Sequence, residues 1–243
     1  LLRRVIDGEG LAVTHGKTAD NGHLPARFRR AMKVEFGRSL LARQELDGEL
    51  IEEIEGALWS RALLESGREA VPTADAARIV IGVDPPASSA GDACGIVVCA
   101  LGADGIGRVL ADCSARKPPP ERWARAVANA ARVWRADRVV AEANQGGEMV
   151  RSVLKAADIA LPLRLVHASR GKVARAEPVA ALYEAGRVRH AGQFPELEDQ
   201  LCGLMAGGGY EGPGRSPDRA DALVWALTEL MLGRKREPRI WRV

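Results

Sequence analysis

The sequence predicts an α/β fold: a mixed β-sheet, made of a three-strand antiparallel meander plus parallel strands, flanked by helices on both faces. Three observations carry this. A β-branched run at 79–83, Ile-Val-Ile-Gly-Val, stops at Asp84-Pro85-Pro86 and reads as a buried strand. Two further apolar runs follow at 95–100 and 108–113, separated by the hairpin signal Asp104-Gly105. From residue 121 onward, helical and strand patterns alternate, which is the order of a layered α/β sheet.

The elements follow in turn. Residues 121–135 read as a helix with Trp123, Val127 and Trp134 at core-facing spacing. Arg138-Val139-Val140-Ala141 is a short strand ending at Glu142, and 148–157 is a helix. Residues 163–167 form a strand. Residues 173–185 form a helix stopped by Gly186. A helix over 195–205 and the loop Gly207-Gly208-Gly209 lead to a last helix, 216–232, with Ser216 as cap and Pro217 in the first turn.

Residues 1–77 lack this strand-rich pattern. Residues 11–14 read as a terminal strand, and 26–36 and 39–54 as helices with charged faces. The expected organisation is a preceding segment over 1–77 and one α/β domain over 78–243. Apolar residues make up 47% of the 243, enough for a core, but aromatics only 4%, so aliphatic side chains must fill it. The net charge of +3 is compatible with a polyanionic partner without requiring one. Cys94, Cys99, Cys113 and Cys202 show no zinc-ligand spacing and read as reduced thiols. No apolar run is long enough to span a bilayer, so no membrane association is expected.

Three acids stand out. Asp84 and Glu142 each end a buried strand. If those strands are neighbours, both carboxylates face one crevice at the strand ends, where α/β sheets place ligands. Asp221 lies on the apolar last helix, with Asp218 one turn earlier on the same face. Each has a plain alternative: a strand cap for Asp84, an ion pair to Arg138 or Arg151 for Glu142, a helix-dipole partner for Asp218. Together they make a hard-oxygen set that suits Mg²⁺ or Mn²⁺. Two such ions, roughly 3.5–4 Å apart, support phosphodiester hydrolysis. Arg170, Lys172 and Arg175 precede or open a helix in a stretch without acids, fit to hold a phosphate backbone or to form a solvated basic loop.

Placed in this order, Asp84, Glu142 and Asp221 resemble the acids of ribonuclease H-like nucleases. The segments Val83-Asp84-Pro85-Pro86, Gly91-Asp92-Ala93-Cys94-Gly95-Ile96, Ala141-Glu142-Ala143-Asn144-Gln145-Gly146-Gly147 and Ser216-Pro217-Asp218-Arg219-Ala220-Asp221-Ala222-Leu223, with 170–188, are similar to the C-terminal nuclease domain of the large terminase subunit of tailed bacteriophages, prophages or gene-transfer agents. The resemblance covers about residues 78–232. It implies a ribonuclease H-like endonuclease that cuts concatemeric double-stranded DNA at the start and end of packaging. It implies Asp84, Glu142 and Asp221 as metal-binding and catalytic carboxylates, with Asp92 and Asp218 second in rank. It also implies portal protein and small terminase subunit as partners, in the cytoplasm of the bacterial host.

Residues 1–55 look like the tail of a packaging ATPase domain and its linker. The ATPase domain itself is expected to be missing, because Gly16-Lys17-Thr18 has Leu11 where a phosphate loop needs its first glycine. Three rivals remain. An actin-like or sugar-kinase-like ATPase would bind nucleotide tightly. A resolvase or transposase of the ribonuclease H-like class would prefer branched DNA or transposon ends. A docking module for portal or small terminase subunit, with acids that bind only structural metal, would leave plasmid cleavage unchanged when Asp84 is replaced by Ala.

Overall fold

A computed structural model describes residues 14, 16–36, 40–48, 54–69, 76–86, 93–116, 118–144 and 146–233. The strand expected at 11–14, the end of the helix expected over 39–54, and Asp92 lie wholly or partly outside the described residues. The chain divides into two compact units, Leu1–Glu52 and Glu53–Val243. In the first, a 3₁₀ turn at Thr18–Asp20 precedes helices α1 (Ala26–Phe36) and α2 (Leu40–Asp47).

The second unit is built on one sheet. Strands β1 (Ala76–Asp84), β2 (Ala93–Gly102) and β3 (Gly107–Asp112) form the antiparallel meander. Gly105, at φ +77°, turns the hairpin between β2 and β3 in a conformation that favours glycine. Strands β5 (Arg138–Glu142) and β6 (Leu163–Val166) extend the sheet in parallel from β1. Two pieces were not expected from the sequence. The short strand β4 (Ala115–Arg116) pairs with β2, and β7 (Val188–His190) adds in parallel to β3. The order is β6-β5-β1-β2-β3-β7, with β4 off the path.

Alternation along the strands gives the sheet two apolar faces. Ile81, Val83, Ile96, Val98, Val139 and Ala141 pack against α4 (Pro120–Val133) and α5 (Gly147–Ala157), through Trp123, Val127, Val150 and Leu154. Val80, Val97, Cys99, Val109 and Val140 face α6 (Lys172–Glu184), α7 (Pro195–Leu201) and α8 (Asp218–Leu227). Each fully buried aliphatic side chain contributes about 1.5–3 kcal/mol by leaving water. α8 is buried along its whole length and continues into a π-helical turn, Thr228–Leu232. Among the described residues no helix is long and apolar enough to cross a membrane.

The compact unit starts at Glu53, not at the residue 78 boundary read from the sequence. Residues 54–69, including α3 (Arg61–Ser66), belong to the core. Trp59 and Leu64 are buried in it, and the Trp59 ring meets Tyr183 edge-on at 5.8 Å. Ion pairs fasten the same segment to α7. Arg68 Nη1 donates to Glu198 Oε1 at 3.0 Å, and Arg61 pairs with Asp199. His190 Nδ1 meets the same Glu198 oxygen at 3.0 Å, while its Nε2 meets the Tyr183 hydroxyl at 2.9 Å. Burial pushes the Glu198 carboxyl up, but hydrogen bonds from His190 and Arg68 outweigh it and hold it down at about 2.

Two smaller differences concern helix ends. The helix expected over 195–205 stops at Leu201. Ser216 does not cap α8: the N-cap residue is Pro217, with no side-chain cap bond. The free amides of Arg219 and Ala220 donate instead to Gln200 Oε1 of α7, at 2.8 and 3.2 Å. Ser216 Oγ accepts from Lys172 Nζ at 2.9 Å.

Candidate functional site

Strand register places the first two acids. β1 and β5 run parallel with Val83 opposite Ala141, so the next residues, Asp84 and Glu142, end neighbouring strands at the same sheet edge. The two-residue period puts both on the face carrying Val80 and Val140, which is the face α8 covers.

Two glycines let α8 come down onto that face. A Cβ built on Gly82 would lie 1.9 Å from the Ala222 carbonyl oxygen, and one on Gly95 would lie 1.9 Å from that of Asp218. Gly95 is the antiparallel partner of Asp84. Helix backbone therefore rests directly on strand backbone beside Asp84, and the first turn of α8 brings Asp218 and Asp221 there.

The electrostatics agree with this placement. Burial, then the carboxylates of Asp221, Glu142 and Asp218, hold the Asp84 carboxyl well above the usual range, and Lys172 opposes them. Burial also raises Asp218, whose Oδ2 accepts from the Ala93 amide at 3.2 Å. The three acids expected to act together, and Asp218, are thus neighbours.

Their charge is met by two cations of α6. Lys172 Nζ lies 2.5 Å from Asp221 Oδ2, an oxygen with no well-directed hydrogen bond. Burial lowers the Lys172 pKa, but Asp221, Asp84 and Asp218 outweigh it and raise it overall. Arg175 Nη2 donates to Asp221 Oδ1 at 3.1 Å, and its Nη1 stands 3.6 Å from Glu142 Oε2. With these cations among them, the acids do not converge: among the described residues, no three His, Cys, Asp or Glu side chains form a ready ligand set for one ion. Arg175, expected to hold a phosphate backbone, is nine-tenths buried and turned toward the acids. Arg170 stays exposed on the turn before α6, and Lys172 is half-exposed.

Two residues without a role in the sequence reading hold Glu142. Asn144 Nδ2 donates to Oε1, and Asn144 Oδ1 accepts from the Ala168 amide at 2.7 Å. Trp225 Nε1 donates to Oε2 at 2.7 Å. Its position four residues after Asp221, hence on the same helix face, was the available signal. Beside the acids lies a groove of about 560 Å³, lined among others by Gly171, Lys172, Gly208, Tyr210, Arg215 and Pro217.

The meander, the parallel extension and the acids at the β1 and β5 ends define a ribonuclease H-like protein. Residues 81–230 match the family model of the terminase RNase H-like domain. The chain belongs to that family. Solved structures share its fold. The nuclease domain of the phage P22 large terminase superposes with TM-score 0.57 at 11% identity, covering 74% of this chain and 94% of that one. The large terminase nuclease of thermophilic phage G20c with bound cobalt gives 0.55 at 17%, covering 72% and 98%. The bacteriophage HK97 large terminase gives 0.53 at 16% over 85% of this chain, which spans about half (51%) of that protein's length. No curated protein sequence matches the chain.

Proposed function

We propose that this chain is the metal-dependent endonuclease part of a DNA-packaging terminase, hydrolysing phosphodiester bonds of concatemeric double-stranded DNA at the start and end of packaging. One observation carries the reading. Asp84 and Glu142 end neighbouring parallel strands at one sheet edge, and α8, seated on Gly82 and Gly95, brings Asp218 and Asp221 to the same place. Such a cluster is costly in the fold unless cations meet it. Family membership and the cobalt- and magnesium-bound G20c nucleases support the same chemistry.

The residues fit divalent ions. The donors are all carboxylate oxygens, which suit Mg²⁺ or Mn²⁺. Among the described residues the cation at Asp221 Oδ2 is the half-exposed Lys172, whose Nζ also donates to Ser216 Oγ and which a divalent ion would displace. Asp84, Glu142 and Asp221 would hold two ions, with Asp218 beside them. What two ions supply there is positive charge for the scissile phosphate and a lowered pKa for a water.

The rest falls to the chain. Asn144 keeps Glu142 aimed at the site. Lys172, once released from Asp221, orients the phosphate, and Arg170 meets the backbone outside it. The groove lined by Lys172 and Arg215 accepts a strand leaving the acids. These contacts are to phosphate, so cutting shows little sequence preference. On this reading portal protein and small terminase subunit are partners in the host cytoplasm, and the unit before Glu53 contains the end of an ATPase domain and its linker.

The test is cleavage of supercoiled plasmid in Mg²⁺ or Mn²⁺. Wild type should nick and linearise it, chelation should stop this, and D84N should lose at least about a hundredfold in rate. Cutting by D84N at the wild-type rate would sink the proposal.

A further inference from the structure

Glu142 is clamped at both oxygens, by Asn144 on one and by the Trp225 indole on the other. Trp225 is 9% exposed and lies on the wholly buried α8. A buried indole N–H needs an acceptor, and it can only donate. Here its acceptor is a carboxylate of the proposed metal site.

The ring has a second contact. The Arg175 guanidinium carbon lies 4.7 Å from the Trp225 ring centroid. That guanidinium bridges toward Glu142 and Asp221. A cation stacked on an indole face is held electrostatically, more strongly where water is excluded. One side chain thus fixes the direction of an acid with its edge and the place of a cation with its face.

We propose that Trp225 is a positioning residue of this site: its N–H orients Glu142 toward a divalent cation, and its ring keeps Arg175 beside the acids. The proposal rests on the metal-binding reading of Glu142. An N–H bonded to Oε2 leaves that oxygen's other lone pair for a cation and removes the side-chain rotations that would turn it away. Partners in this position commonly govern metal affinity by ten- to a hundredfold. Asp221 sits one helical turn away on the same helix, so Trp225 also ties the two acids to one rigid element.

The test is Mn²⁺ binding by the whole chain, with no DNA present. W225F keeps a ring under Arg175 and lacks the N–H. In calorimetry it should bind Mn²⁺ about tenfold or more weakly than wild type. A second measurement needs no variant. In a ¹H–¹⁵N spectrum of wild type, paramagnetic Mn²⁺ should broaden the Trp225 indole signal at concentrations that leave Trp59 and Trp123, packed in the cores, sharp. Wild-type affinity in W225F would overturn the role of Trp225 alone, whereas a Trp225 indole signal that stays sharp as Mn²⁺ saturates wild type would place the ion away from Glu142 and overturn the metal reading of that acid as well. Failure of wild type to bind Mn²⁺ would overturn that role together with the metal reading.

Discussion

Gly82 of β1 lies directly beneath Ala222 of α8, so close that a Cβ at position 82 would stand 1.9 Å from the Ala222 carbonyl oxygen. This contact sets the height of α8, which carries Asp218 and Asp221, above the sheet. G82A must push the helix away or bend the strand, because neither backbone can yield as a side chain could. We expect a destabilisation of about 3 kcal/mol or more, at the upper end for overpacked cores, and loss of plasmid cleavage. Urea unfolding and the plasmid assay read the two effects. A variant as stable and active as wild type would mean that α8 is not seated by this glycine.

Lys172 stands 2.5 Å from Asp221 Oδ2 and competes for the oxygen that a divalent ion would use. K172A removes a positive charge from the cluster. Its Mn²⁺ affinity should rise about five- to tenfold, as expected for one charge at this range under partial screening. Its cleavage rate should fall, since the phosphate loses a cation. Calorimetry and single-turnover cleavage, run side by side, separate the two. A parallel loss of both would place Lys172 in support of metal binding instead.

The buried network at Glu198 predicts an acid-sensitive stability. The folded carboxyl sits at about 2 against an ordinary 4.5. As pH falls, the unfolded chain takes up this proton before the folded one, so acid favours unfolding. The contribution is complete above about pH 4.5 and is lost as the pH falls through 2. E198Q takes the buried carboxylate from His190 and leaves Arg68 paired with Glu65, and should cost about 3 kcal/mol near neutrality. Denaturant midpoints taken across pH should show the gap between E198Q and wild type narrowing below pH 4. A constant gap would mean that Glu198 is not charged in the fold.

Arg170 is exposed on the turn before α6 and outside the acid cluster. As a phosphate contact, its removal in R170A should weaken DNA binding about equally for unrelated sequences. It should also lower the slope of log affinity against log salt by about one. Fluorescence anisotropy at several salt concentrations measures both. An unchanged slope would return Arg170 to a solvated loop.

Much of this was legible in the chain because the signals were local. Ile79, Val80, Ile81 and Val83 can hardly be other than a buried strand, and an acid at its end draws notice. Gly82 within that run was a visible sign of close backbone approach, though only the fold shows that α8 is what approaches. β7 was missed because Val188, Arg189 and His190 are too few to show a period, and β3 supplies the pairing. Residues 54–69 looked like linker because only Trp59 and Leu64 mark them as core. Ser216 looked like a cap, but Gln200 reaches the helix amides from another helix, a contact no local pattern encodes. Trp225 hid in an apolar helix, where one more large ring reads as packing.

In the proposed function, Asp84, Glu142 and Asp221 hold divalent ions for phosphodiester hydrolysis. Anomalous diffraction from crystals soaked in Mn²⁺ tests it most directly. Anomalous peaks are expected within coordination distance of these three carboxylates, with Lys172 moved off Asp221. Anomalous density elsewhere and none at these carboxylates, in protein that still cuts plasmid in Mn²⁺, would contradict it.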